Sequence, residues 1–163
     1  MTMNTTGMRP PFGLERHLWK LYPPFRAKVE QLLKMCEERN LPIKLTSGYR
    51  YTYEQDDLYR QGRNGNPGKI VTNANGLWSY HCYGLAVDFC KNIKGEEYSD
   101  LDFFRQVGGL GETLGLEWGG HWKKPDMPHL QFRGLTLQQL KAQGYERPDA
   151  FIKTWWNEEA GDE

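Results

Sequence analysis

The sequence predicts an α+β fold: a small antiparallel sheet with helices packed on it. Three observations carry this expectation. Two long stretches have helical apolar spacing, four short runs read as strands, and glycine- and proline-rich turns separate those runs.

After a loose, proline-containing start, Pro24 to Arg39 places Phe25, Val29, Leu32, Leu33 and Cys36 at helical spacing with charged residues between them. Asn40-Leu41-Pro42 ends that helix, because the residue before a proline avoids helical geometry. Ile43 to Thr46 reads as a short strand leading into Ser47-Gly48-Tyr49-Arg50. Thr52 to Gln61 reads as a second helix, with Thr52 as its N-cap and Gly62 as its stop. Arg63 to Ser79 holds two Asn-Gly pairs and an Asn-Pro-Gly, so a long ordered loop is expected; loops of this length inside a domain usually serve a function. Leu85 to Phe89 is a strand-like run. Ser99 to Leu114 is a third helix, built on Leu101, Phe104, Val107 and Leu114, with Asp100 and Asp102 complementing its positive end. Leu116 to Trp118 and His129 to Phe132 are short strands flanking a glycine- and proline-rich turn. Thr136 to Ala142 and Asp149 to Asn157 are expected to close the fold. The whole, 1–163, reads as one catalytic domain with its core at about 24–133 and closing helices over 134–158.

Lys+Arg and Asp+Glu are equal at 21 each. No basic stripe is available to neutralise a phosphate backbone, so nucleic acid is excluded as the expected partner. The 6 Trp, 9 Tyr and 7 Phe suit a core and also a groove for sugars or peptides. Cys36, Cys82 and Cys90 form neither a disulfide framework nor a CxxC zinc pattern, and read as buried thiols. Met1 to Leu14 lacks the basic and apolar regions of a signal peptide, and no apolar run approaches a membrane span. The expectation is a monomer made in the cytoplasm, without membrane insertion.

The chemistry concentrates in three segments: Ser79 to Asp88, Glu117 to Gly120, and Asp126 to His129. A catalytic zinc site needs three protein ligands and an open fourth position. His81, Asp88 and His129 can supply the three. His81 and Asp88 are seven apart and would face opposite ways in an unbroken strand, so a bend at Gly84 is required. Pro128 favours an extended entry to His129, and Asp126 lies across that turn, within reach of a water. By spacing alone, a strand histidine that satisfies a core hydrogen bond is the competing reading.

Taken in order, SGYR (47–50), QDDLYRQGR (55–63), PGKIVTNA (67–74), SYHCYGLAVDF (79–89), LEWGGHW (116–122) and DMPHLQ (126–131) together resemble peptidase family M15. The similarity is closest to its L-alanyl-D-glutamate endopeptidase branch, which includes phage endolysins and bacterial wall hydrolases, and it spans about Leu41 to Phe132. The resemblance implies the zinc D-Ala-D-Ala carboxypeptidase/Hedgehog-like fold and one Zn2+ held by His81, Asp88 and His129. It also implies Asp126 as general base and Arg50 as donor to the developing oxyanion. Ser79 falls in the same motif as a substrate contact. The implied substrate is the peptidoglycan stem peptide, cut between L-Ala and D-Glu by an endolysin-like enzyme acting on the wall after release. The rivals are a D-Ala-D-Ala carboxypeptidase or dipeptidase of the same fold, and a zinc-stabilised binding module without hydrolysis.

Cys82 and His121 depart from the family pattern, and His121 is a competitor for the metal or a substrate contact. Glu117 is assigned to orienting a ligand histidine, with Asp126 preferred as base. Trp118 and Trp122 read equally as groove walls for the peptide or as packing residues.

Overall fold

The computed structural model describes residues 14–157. Among these residues six helices and four strands follow in the order α1 (Leu14–Leu18), α2 (Pro23–Glu38), β1 (Ile43–Ser47), α3 (Thr52–Arg60), β2 (Ala86–Lys91), α4 (Leu101–Thr113), β3 (Leu116–Trp118), β4 (His129–Phe132), α5 (Leu137–Ala142) and α6 (Pro148–Ile152). Single 3-10 turns lie at Tyr80–Tyr83 and Gly119–His121.

The strands form one antiparallel sheet in the order β1-β2-β4-β3. Strand alternation divides its residues between two faces. Leu45, Val87, Phe89, Leu116, Trp118 and Leu130 face one way and meet Phe25, Val29, Leu32 and Cys36 of α2 and Phe103, Phe104 and Val107 of α4. This is the main core. A second cluster joins Tyr83 and Leu85 to Leu137 and Leu140 of α5 and Phe151 of α6.

The opposite face carries Ser47, Asp88, His129, Gln131 and Glu117, and register assembles it. Asp88 pairs with His129, and Glu117 with Gln131. On β1 the register slips by one residue between Leu45 and Ser47, so that Ser47 opposes Asp88. The bulge turns Ser47 from the core side to the polar side, since a one-residue shift exchanges faces.

Several boundaries differ from expectation. α1 lies in the stretch read as a loose start. Thr52 is the first residue of α3 rather than its cap; Tyr51 holds that position, and its N–H donates to Glu54 Oε1 at 2.9 Å. α4 begins at Leu101 because the Asp100 carboxylate caps it, accepting from the Phe103 N–H at 3.1 Å. The last helix stops at Ile152 instead of reaching residue 157.

Candidate metal centre and catalytic cleft

Asp88 and His129 meet because they are directly paired on adjacent strands. His81 reaches them from outside the sheet. It sits on the 3-10 turn ahead of β2, which removes the face problem posed by its odd separation from Asp88. Gly84 closes that turn at φ 68, in the left-handed region, and a Cβ there would lie 2.7 Å from the Lys20 carbonyl oxygen.

Each histidine is oriented by the nitrogen it does not offer. His81 Nδ1–H donates to the Gly48 carbonyl at 2.9 Å, leaving Nε2 3.4 Å from Asp88 Oδ2. His129 Nε2–H donates to Gln131 Oε1 at 2.8 Å, leaving Nδ1 3.1 Å from Asp88 Oδ1. The three ligand atoms lie within 4.8 Å of one another. Tetrahedral ligands at about 2.0–2.1 Å from a zinc ion stand ~3.3 Å apart, so this donor set fits such an ion with little adjustment. The three groups also act strongly on one another's charge. Burial alone would raise the Asp88 carboxyl, but the charges and hydrogen bonds of His81 and His129 outweigh it and hold the group well below the usual carboxylate range. Burial opposes charge on His129, yet its bond to Asp88 raises its pKa above the ordinary histidine value.

Around this set lies a cleft of about 460 Å³, bordered by Arg50, Gln55, Ser79, Tyr80, Trp122 and Asp126 among others. Arg50 Nη2 donates to Ser47 Oγ at 2.8 Å and stands 3.7 Å from Asp88 Oδ2; its Nη1 donates to Gln55 Oε1 at 2.6 Å. Gln55 is 1% exposed. Its Oε1 also accepts from Ser79 Oγ at 3.3 Å, and its Nε2 donates to the Ala74 carbonyl at 2.7 Å. Asp126 Oδ2 is 4.0 Å from His129 Nδ1, at the open edge of the metal set. Burial pushes its pKa above the ordinary value, His129 opposes that, and the Asp88 charge adds to it. The Asp126 backbone is seated by its N–H donating to the Gly119 carbonyl at 2.8 Å, and a Cβ on Gly119 would come 2.5 Å from the Asp126 carbonyl oxygen.

Three expectations change here. Trp118 is no groove wall: it is 5% exposed, belongs to the main core, and its Nε1–H donates to the Met127 carbonyl at 2.8 Å. Its place on the core-facing side of β3 decides this. Glu117 does not take the histidine-orienting role; it accepts from Trp122 Nε1 at 2.8 Å, and Gln131 orients His129. Trp122, so held, lines the cleft with its ring centroid 5.1 Å from that of His129. His121 turns away from the metal set, exposed and 3.2 Å from Glu112 Oε1. Sequence reasoning missed Gln131 and Gln55. Period-two alternation from His129 was the available signal for Gln131. For Gln55 the one signal was its place at the head of QDDLYRQGR; its partners lie 5, 19 and 24 residues away.

The geometry defines a candidate metal site of two histidines and an aspartate, set in an open cleft. A family model described as D-alanyl-D-alanine carboxypeptidase, of the M15 peptidases, matches residues 72–132. The peptidoglycan L-alanyl-D-glutamate endopeptidase CwlK of Bacillus subtilis (strain 168) is 38% identical over 122 residues, covering 68% of this chain and 72% of that protein. The chain belongs to the M15 peptidase family. Within it, similarity extends to the L-alanyl-D-glutamate peptidase of Listeria phage A118, 32% identical over 118 residues, which cover 69% of this chain and 38% of the phage protein. In fold, the chain matches the Serratia marcescens L-Ala D-Glu endopeptidase ChiX with a TM-score of 0.57 at 22% identity, over 77% of this chain and 90% of that one. The LD-carboxypeptidase LdcB also gives 0.57, at 20% identity, over 87% of this chain and 79% of that one.

Proposed function

We propose that this chain is a zinc-dependent peptidoglycan endopeptidase that hydrolyses the L-Ala–D-Glu bond of the stem peptide. The observation that carries the reading is the His81–Asp88–His129 set, with Arg50 and Asp126 beside it in one cleft. Support for that particular bond comes from the two relatives named for it.

His81 Nε2, the Asp88 carboxylate and His129 Nδ1 would hold the ion. Bound zinc supplies Lewis acidity, bringing the pKa of a water to roughly 7 and polarising a carbonyl. Asp126 Oδ2 takes the proton from the attacking water and returns it to the leaving amine nitrogen. A pKa above the ordinary carboxylate value suits that return. Arg50, held by Ser47 and Gln55, presents its guanidinium to the oxygen on which negative charge develops. Trp122 packs its ring beside His129 at the cleft wall.

The test is metal analysis paired with mass analysis of products from purified peptidoglycan, for wild type and His81→Ala. The expected outcome is roughly one zinc per chain and new D-Glu amino termini, both lost in the variant. Asp126→Ala is expected to keep zinc and lose hydrolysis. If that variant cut walls as fast as wild type, the assigned base would be wrong.

A second reading, a D-alanyl-D-alanine carboxypeptidase, is favoured by the description of the family model. Release of terminal D-alanine alone would establish it in place of the first. The phage relative supports an endolysin setting, in which the enzyme is made in the cytoplasm and meets the wall after release. Among the described residues no helix is long and apolar enough to cross a membrane.

A further inference from the structure

Loop 62–79 forms one wall of the cleft and exposes unusually large apolar side chains. Ile70 is 56% exposed, Val71 58% and Trp78 51%. Val71 and Trp78 line the same cleft as the metal set.

These side chains are held out rather than left loose. Side chains from α3 and the residues after it grip the loop backbone in turn. Gln61 Nε2 donates to the Lys69 carbonyl at 2.9 Å, Arg63 Nη2 to the Thr72 carbonyl at 2.9 Å, and Gln55 Nε2 to the Ala74 carbonyl at 2.7 Å. Asp56 Oδ1 accepts the Gly76 N–H at 2.7 Å. Trp78 is fixed from the other side as well. Lys141 of α5 places Nζ 4.4 Å from its ring centroid and is itself tied to the Glu146 carbonyl at 3.0 Å. An indole kept half in water by two independent supports is a pre-organised contact surface.

The chemistry of the substrate selects the occupant, on the proposed L-Ala–D-Glu reading. Beside the scissile bond the stem peptide offers the methyl of L-Ala and the two methylenes and carboxylate of D-Glu, narrow chains of which none covers an indole face as a ring does. The nearest broad C–H-rich surface in the polymer is the pyranose of the N-acetylmuramoyl residue. Only the lactyl group stands between it and the amino side of L-Ala. Aromatic faces take such rings through their apolar C–H groups.

We infer that Trp78, with Val71 beside it, forms a saccharide subsite that binds the N-acetylmuramoyl ring on the amino side of the scissile bond. The enzyme then reads the junction of glycan and peptide rather than the peptide alone.

The test compares kcat/KM for a disaccharide-tetrapeptide muropeptide with that for the free tetrapeptide of the same sequence. Wild type is expected to prefer the muropeptide. In Trp78→Ala the ratio of the two constants falls about tenfold, the loss expected for one half-covered indole. Trp78→Phe, which keeps a flat ring, restores much of it. A ratio unchanged in Trp78→Ala, or a wild type indifferent to the sugar, would overturn the subsite. Binding of N-acetylmuramoyl-L-alanine, followed by ligand-observed NMR, provides a readout independent of turnover. Saturation on the sugar protons that disappears in Trp78→Ala supports the subsite even if the bond cleaved proves to be another. Saturation confined to the alanine methyl counts against it. A wild type that releases only D-alanine refutes the endopeptidase reading and leaves this binding result to decide the subsite.

Discussion

Gln131 is 7% exposed and makes one decisive contact, accepting the His129 Nε2–H at 2.8 Å. Gln131→Leu keeps the bulk and removes the acceptor. His129 is then free to move its proton to Nδ1, the atom aimed at the metal, and a buried N–H is left without its partner at a cost of about 1–3 kcal/mol. Loss of such an orienting bond typically weakens metal binding about 10–100-fold, or ~1.4–2.7 kcal/mol. With free zinc at about a hundred times the wild-type Kd, wild type gains ~2.7 kcal/mol of stability; a site ~30-fold weaker gains only ~0.9 kcal/mol. For a chain of this size that difference reduces the zinc-induced rise in Tm by about 4–7 °C. Thermal unfolding with and without zinc, together with a competitive chelator titration, measures both quantities. Gln131→Glu, which offers an acceptor to the same N–H, is expected to retain the shift. A full zinc-induced shift in Gln131→Leu would refute the idea that this residue sets the His129 tautomer.

Gln55→Leu removes the acceptor of Arg50 Nη1 and the donor to Ala74, so kcat is expected to fall about 10²-fold or more, the scale of losing one oxyanion donor, with zinc affinity retained; steady-state kinetics and zinc titration separate the two. Gly119→Ala drives a methyl against the Asp126 carbonyl, so hydrolysis is expected to drop while zinc stoichiometry holds. Burial pushes the Cys82 thiol up to about 12 and that of Cys36 to about 11, so neither is expected to react with a disulfide reagent at pH 8 until the protein is unfolded, as peptide mapping would report. The Lys91 hydrogen bond lowers the pKa of the Asp100 carboxyl, so its charge stabilises the fold above the ordinary carboxylate range and that contribution is lost as pH falls through the folded-state value. The Tm gap between wild type and Asp100→Asn, an equally good helix cap, is therefore expected at neutral pH and closes in acid.

The elements most legible in the sequence were those written in local pattern. α2 and α4 followed from helical apolar spacing, and β3 and β4 from short runs between glycine and proline turns. The convergence of His81, Asp88 and His129 as a candidate metal group was legible because motifs keep chemistry-bearing residues close to the strands and turns that present them. Trp118 was left open between groove wall and packing because only the pairing of its strand with β4 says which face is the core. Glu117 lies on the expected polar face but meets Trp122, while the neighbouring strand's Gln131 reaches His129. The burial of Gln55 was not legible, though it opens the QDDLYRQGR motif, because nothing in its own helix distinguishes a buried glutamine from an exposed one.

By itself the sequence determined α2, α4 and the four strands, the residues able to hold a metal, and the family whose motifs they form. Local sterics and apolar period are properties of a few neighbouring residues, so they survive without a structure. The tertiary structure alone decided that β2 lies beside β4, that a bulge turns Ser47 toward Arg50, and that Gln131 and Gly48 fix the two imidazoles. Those are long-range hydrogen bonds and registers. Their partners are chosen by packing of the sheet against α2 and α4, which no stretch of the chain encodes on its own.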